Sequence, residues 1–126
     1  MADRARRKRR RLSRSGEFDR VYREGRSHAS RHLVVYSFPR ADAESPRLGV
    51  SVGRKLGGAV ERNRVKRLLR EAFWSRADAL PDGLDFVIVA RPPAGELARD
   101  GGGKAIEEAL GAVLEDAGLA NSGGPA

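Results

Sequence analysis

Cysteine is absent from the 126 residues of this chain. A disulfide framework, a cysteine-based zinc site and a thiol nucleophile are therefore excluded, and the composition fits a reducing compartment. The sequence also lacks any apolar run close to the roughly 20 residues that span a bilayer. Its basic start, "MADRARRKRRRLSRSGEF", is not followed by an apolar stretch and is not a secretory signal. We expect a cytoplasmic protein.

Catalytic and metal-binding motifs are also missing from the sequence. It shows no Ser-His-Asp set and no paired carboxylates, and the glycines at 101–103 lack the Lys-Ser/Thr pattern of a phosphate-binding loop. His28 and His32 are four residues apart, a spacing that suits a metal only on a helix, and their segment has no helical pattern. We expect neither a catalytic residue nor a metal ligand in this chain.

Positive charge, by contrast, is abundant and unevenly distributed. The net charge is +8. Residues 1–75 hold 21 Lys or Arg against 8 Asp or Glu, a net of +13, whereas residues 76–126 hold 4 against 9, a net of −5. Such a balance is typical of proteins that bind a polyanion. The polyanion-binding surface is therefore predicted in the first 75 residues.

The charge distribution and hydrophobic pattern predict one domain with two tails. Residues 1–14 carry eight basic side chains and one acidic one, which predicts a flexible basic arm. The folded domain is predicted at 15–118, and the Gly-rich end at 119–126 is predicted to be disordered. Helices are predicted at 15–24, 61–73 and 104–117, and strands at 31–38, 47–53 and 86–90.

This order of elements (α-ββ(β)-α-β-α) predicts an α+β fold. We expect a two-layer sandwich in which the helices pack on one face of a small, mostly antiparallel sheet, while the other face stays partly open. The first two predicted strands are expected to form a hairpin. The continuous apolar run 86–90 is typical of a central strand that is covered on both faces.

The helix predicted at 61–73, "ERNRVKRLLREAF", has one apolar and one cationic face. Placed on a helical wheel, the face opposite the apolar stripe carries Asn63, Arg64, Arg67 and Arg70, with Arg62 and Lys66 on one flank. Two acidic residues are too few to neutralise five cations. Guanidinium groups bind phosphate, and the Asn63 amide can contact a base edge or a ribose hydroxyl. The pattern therefore favours nucleic-acid binding over a merely solvated face.

Aromatic residues are few, and three of them are candidates for stacking on bases. Phe18 and Tyr22 share one face of the first helix, and Tyr36 projects from the first predicted strand. Single-stranded nucleic acid is held by cations along its backbone and by aromatic planes under its bases. Phe18 could instead simply dock its helix. Trp74, on the basic helix, is expected to pack against the following loop rather than to stack.

The stretch "RLGVSVGRKLGGAVERNRVKRLLREAF" closely resembles the signature region of the protein subunit of bacterial ribonuclease P. The resemblance extends to "LSRSGEFDRVYREGRS", "LVVYSF" and "FVIVARPPA", and covers roughly Leu12 to Ala117. It implies a fold similar to a domain of a small-subunit ribosomal protein, with a left-handed crossover around the basic helix. Two features depart from the family pattern, namely the Arg-rich arm and the loop "PRADAESP".

The resemblance also implies an activity and partners. The family's ribonucleoprotein is an endoribonuclease that removes the 5′ leader from precursor tRNA. Its RNA subunit holds the Mg²⁺ ions and performs the chemistry, while the protein binds the leader and assists the RNA. The implied partners are thus the catalytic RNA subunit and precursor tRNA, with no membrane and no obligate protein partner.

Matching positions carry the family's site residues to this chain. Arg62, Asn63 and Arg64 match its Arg-Asn-Arg motif. The basic positions around that motif match Lys55, Lys66, Arg67 and Arg70. Phe18, Tyr22 and Tyr36 match the aromatic positions of the cleft in which the leader lies.

Two other functions remain open from the sequence. A non-catalytic ribosomal or general RNA-binding protein would show the same charge pattern. A protein-only nuclease would need clustered acids or a histidine pair near the basic helix, and the sequence shows neither.

Overall fold

The computed structural model describes residues 10–12, 15–40 and 44–119. The described elements, in chain order, are β1 (Arg10–Arg11), α1 (Ser15–Glu24), β2 (Arg26–Ala29), β3 (Leu33–Pro39), β4 (Arg47–Val52), α2 (Ala59–Ser75), β5 (Leu84–Ala90) and α3 (Pro93–Asp116). Short 3-10 helices lie at Arg54–Leu56 and Ala77–Ala79. Most of the predicted arm and tail lies outside the described residues, so their flexibility stays a prediction. Arg10 and Arg11 of that arm form β1 of the sheet.

Five strands form one open sheet in the order β1-β4-β5-β3-β2. β3 runs antiparallel to β5 and to β2, whereas β4 runs parallel to β5 and to β1. The α+β class is confirmed, and the sheet is mixed, with two antiparallel and two parallel pairs. The predicted hairpin between β3 and β4 is wrong because β5 lies between them. β5 is covered on both faces, as its apolar run predicts, since Phe86, Val87 and Ile88 are fully buried.

The loop between β3 and β4 crosses the start of β5. The Arg40 N–H donates to the Gly83 carbonyl at 2.7 Å, and the Gly83 N–H donates to the Glu44 carbonyl at 2.7 Å. Nη2 of Arg40 adds bonds to the carbonyls of Glu44 and Ser45, each at 2.9 Å. These bonds hold the described ends of the loop over β5, and β4 then reaches its parallel partner through a crossover that contains α2.

Helices cover both faces of the sheet. The main core lies between the sheet and the helices α2 and α3, and its largest fully buried side chains include Phe73, Phe86, Leu33, Leu69, Ile88 and Leu110. Trp74 is also buried there, with its ring centroid 4.9 Å from that of Phe73, so it packs in the core, whereas its contact with the following loop stays a prediction. A second, smaller cluster forms under α1 on the opposite face, which contradicts the expectation that all helices share one face.

α3 is broken at Gly102, whose backbone (φ 61°, ψ −154°) lies in a region that only glycine adopts readily. The sequence predicts only the part after this break. Residues 93–101 were missed because Pro92-Pro93 ends a strand, whereas proline is equally suited to the first turn of a helix. The predicted end at Gly118 is confirmed: its φ is 71°, and the Leu119 N–H donates to the Leu114 carbonyl at 2.9 Å.

Candidate nucleic-acid interface

The cationic face of α2 points away from the core, as its spacing predicts. Val65 and Leu69 are buried against the sheet. Asn63, Arg64 and Arg67 are exposed, and Arg62, Lys66 and Arg70 are half-buried on the flanks. α2 therefore positions the six predicted polar residues on one continuous surface.

Acidic side chains do not neutralise this surface. Within residues 10–12, 15–40 and 44–119, none of the five Arg and Lys side chains at positions 62–70 lies within 4.0 Å of a carboxylate. Glu61, one of the two acidic residues next to this cationic stretch in sequence, accepts from the Gly58 N–H at 3.2 Å, which caps the helix, and from Nη1 of Arg99 at 3.4 Å. The cations of α2 are thus available to an external anion.

Three aromatic rings gather on the opposite face of the sheet. Tyr22 of α1 meets Tyr36 of β3 edge-on at a centroid distance of 5.0 Å, and Phe18 lies 6.4 Å from Tyr22. The Phe18 ring covers Gly49, where a Cβ atom would overlap it. Phe18 and Tyr36 are partly buried, while Tyr22 is 36% exposed. The three predicted cleft residues therefore lie together, and Tyr22 offers the most accessible ring.

The side chain of Ser51 in β4 lies near the Tyr22 hydroxyl. Partial burial raises the pKa of the Tyr22 phenol, and the nearby Tyr36 and Asp19 add to this, whereas Ser51 acts in the opposite direction. Tyr22 therefore contributes an uncharged ring to the aromatic cluster at neutral pH.

A cavity of about 550 Å³ lies at the carboxyl ends of β4 and β5. Val34 and Val89 contribute apolar surface to it, and three cations, Arg54, Lys55 and Arg91, line it as well. Ser51, which lies near the Tyr22 hydroxyl, also lines this cavity. An apolar surface flanked by cations suits a flexible polyanion with flat bases.

Sequence reasoning missed Arg54, Arg91 and both valines of this cavity. Lys55 alone among the predicted residues lines it. The missing information was the parallel pairing of β4 with β5, which brings the residues that follow the two strands together. Had β5 been placed beside β4, Arg91 would have been predicted next to Arg54. Arg62 and Asn63 belong to α2 and do not line the cavity.

Metal ligands are not gathered in the described part of the chain. Across those residues, no group of three or more His, Cys, Asp or Glu side chains is close enough to hold an ion. In the same part of the chain, no helix has the length and apolar character needed to cross a membrane.

Known proteins resemble this chain over most of its length. A family model described as Ribonuclease P matches residues 7–114. The ribonuclease P protein component of Bacillus pumilus (strain SAFR-032) is 42% identical over 90 residues, covering 71% of this chain and 76% of the relative. That of Bacillus cereus (strain B4264) is 41% identical over 90 residues, covering 71% and 78%.

Solved structures agree with the family match. An RNase P protein of Staphylococcus aureus has a TM-score of 0.80 at 35% identity and covers 90% of this chain and 100% of its own. The RNase P protein from Thermotoga maritima has a TM-score of 0.75 at 30% identity and covers 85% of this chain and 97% of its own. The arrangement of sheet and helices is thus shared with both proteins, and the chain belongs to the family of bacterial ribonuclease P protein components.

Proposed function

We propose that this chain binds the 5′ leader of precursor tRNA and the catalytic RNA subunit, and so assists Mg²⁺-dependent removal of the leader. The observation that supports this most is the presence of two different surfaces. A cluster of aromatic rings lies on one face of the sheet, and a cation-lined cavity shares Val89 with that cluster, while an unneutralised cationic helix lies on the other face.

The cleft suits the single-stranded leader. The rings of Tyr22 and Tyr36 would stack on bases, each stack contributing about 1–3 kcal/mol. Arg54, Lys55 and Arg91 would bind phosphates at the far end, because guanidinium and ammonium groups form charge-assisted bonds to phosphate oxygens. Stacking and phosphate contacts together orient a strand without demanding one base sequence.

The α2 face suits a structured RNA. Arg64 and Arg67 are exposed and without carboxylate partners among the described residues, so each can neutralise a phosphate and release counterions. Asn63 between Arg62 and Arg64 would add a contact to a ribose hydroxyl or base edge. The Mg²⁺ ions that assist cleavage would be held by the RNA subunit and the substrate. The protein's part would be to bind and orient the substrate.

Reconstitution tests this assignment. Purified protein alone should not cleave precursor tRNA, and protein with its partner RNA and Mg²⁺ should produce a single cut at the mature 5′ end. Robust turnover by RNA-free protein would favour a protein-only nuclease. Sequencing the RNA that co-purifies tests the remaining alternative. Recovery of ribosomal RNA in place of a distinct structured RNA would indicate a general RNA-binding protein.

A further inference from the structure

A groove of about 170 Å³ lies between the start of α2 and the first half of α3. Arg64 of α2 and Arg99 of α3 both line it, with Glu61 and Val60 beside them. The sequence assigns only Arg64 to a binding surface. Arg99 lies in the part of the chain whose net charge is negative, and the fold brings it next to the basic helix.

Val60 is a second unusual feature of this groove. Its side chain is 83% exposed. Among the described residues, the only other exposed large hydrophobic side chain is that of Tyr22. Tyr22 lies in the proposed leader cleft. An exposed apolar side chain beside two arginines suits a partner that presents both phosphates and apolar ribose or base surface.

The contact between Arg99 and Glu61 is weak. Their nearest atoms are 3.4 Å apart, and the two side chains are 58% and 51% exposed. Exposed pairs of this kind contribute little to stability, so the Arg99 guanidinium can exchange the carboxylate for a phosphate at little cost. Arg64 has no carboxylate partner in the described part of the chain.

We propose that a phosphate of the RNA subunit binds in this groove between Arg64 and Arg99, and that Glu61 competes with it for Arg99. The inference rests on the proposed function and extends the RNA-binding surface from α2 onto α3. The α3 segment is set in place by two features, the break at Gly102 and the close packing of Gly95 on Leu56, where a Cβ atom would lie 3.2 Å from the Leu56 side chain.

Opposite effects of two substitutions test the competition. Arg99→Gln removes one phosphate contact and should weaken binding of the partner RNA about fivefold near 0.15 M salt, lowering the salt slope by about 0.7–0.9. Glu61→Gln keeps a cap for the Gly58 N–H but removes the competing charge, so it should strengthen binding. Arg99→Lys keeps the charge and should retain most of the affinity.

The matched control is Lys104→Gln, which removes one exposed positive charge from α3 on the far side of the Gly102 break. The measurement is the affinity of the full chain for its partner RNA across a salt series, with mature tRNA as a second ligand. Equal affinities for Arg99→Gln and Lys104→Gln would overturn the inference. Weaker RNA binding by Glu61→Gln would also overturn it. If the Arg99–Glu61 pair acted only by holding the two helices in place, replacing either residue would weaken RNA binding.

These outcomes are distinct from failure of the proposed function. If the unmodified chain did not bind the partner RNA, the proposed function itself would be wrong. If it bound normally and Arg99→Gln changed only mature-tRNA binding, the groove would belong to the substrate, and the assignment to the RNA subunit would be wrong.

Discussion

Arg47 binds Asp85 through two parallel hydrogen bonds, from Nε to Oδ1 at 2.8 Å and from Nη2 to Oδ2 at 2.7 Å. Its remaining nitrogen, Nη1, donates to Oε2 of Glu17 in α1 at 2.8 Å. One side chain thus ties β4 to the start of β5 and to the helix that carries two cleft aromatics. The bonds to Asp85 raise the pKa of Arg47 further above its already high usual value, so it stays charged.

Removing Asp85 should therefore destabilise the protein strongly. The Asp85 side chain is only 5% exposed, and it also accepts from Nη1 of Arg40 at 3.0 Å. Asp85→Ala would remove the buried carboxylate that Arg40 and Arg47 share, and breaking such a buried pair costs about 3–5 kcal/mol. Urea denaturation of the free protein measures this loss.

Arg99→Gln is the matched control for Asp85→Ala, because it breaks the exposed pair with Glu61. It should cost less than about 1 kcal/mol. If both variants lost the same small amount of stability, the Arg47–Asp85 pair would have no special structural role.

The cationic face of α2 should determine the salt dependence of RNA binding. Replacing Arg64, Arg67 and Arg70 together with Gln should lower the salt slope by about 0.7–0.9 for each lost phosphate contact. Folding should be preserved, because Val65 and the other buried residues of α2 are unchanged. The slope is measured with partner RNA, and circular dichroism checks the fold. A native fold with an unchanged slope would mean that this face is only solvated.

Tyr22 and Tyr36 should matter only for substrates with a leader. In the holoenzyme, Tyr22→Ala and Tyr36→Ala should each weaken binding of precursor tRNA by about 1–3 kcal/mol if each ring stacks on a base. Mature tRNA should bind these variants and the unmodified protein equally well, and partner-RNA affinity should barely change. Phe18→Ala is a poorer probe because its ring covers Gly49 and holds α1 on the sheet.

Varying the leader length distinguishes two causes of weaker binding by the Tyr variants, namely lost stacking on leader bases and lost packing in the core. The loss should appear with leaders several nucleotides long and disappear with leaders too short to reach the cleft. Equal losses for long-leader and leaderless substrates would assign both tyrosines to the core.

The phenol of Tyr22 should ionise above its ordinary pKa of 10.0, because partial burial disfavours the phenolate. In the unfolded chain the same phenol loses its proton first, so the free energy of unfolding should be unaffected below pH 10 and should fall as the pH rises further. A near-ultraviolet absorbance titration of the free protein, compared with Tyr22→Phe, measures this pKa.

Ser51 provides the internal check on this titration. Its side chain lowers the Tyr22 pKa, so Ser51→Ala should raise that pKa further. A lower pKa in Ser51→Ala would show instead that the Ser51 side chain stabilises the neutral phenol.

Much of this architecture could be predicted from local patterns. The apolar stripe of α2, the alternation of β3 and the doubly buried β5 each follow from residue spacing, and all three are confirmed. Strand pairing could not be predicted in this way, because the 39–46 loop is long enough for either a hairpin or a crossing over β5. The short strand β2 gave no signal, since Arg26–Ala29 has no apolar alternation.

Some residues of the candidate site could likewise be predicted from the sequence, and others could not. The helical period places Phe18 and Tyr22 on one face of α1, and the resemblance to the family implies that Tyr36 lies beside them. Arg91 and Arg99 could not be predicted, because each meets its neighbours only through long-range contacts, Arg91 across the β4–β5 pair and Arg99 across α2 and α3.

The alternation of side chains along β5 affects the distance between the two proposed RNA surfaces rather than their affinity for RNA. The side chains of β5 alternate, so that Phe86 and Ile88 face α2 while Val87 and Val89 face the aromatic cleft. A single layer of backbone therefore separates the two hydrophobic cores, and the distance between the two proposed RNA surfaces is set by the sheet, the main core and α2. We expect a change that thickens either core next to β5, such as Val87→Phe, to shift the position of the cut along the substrate more than it weakens binding.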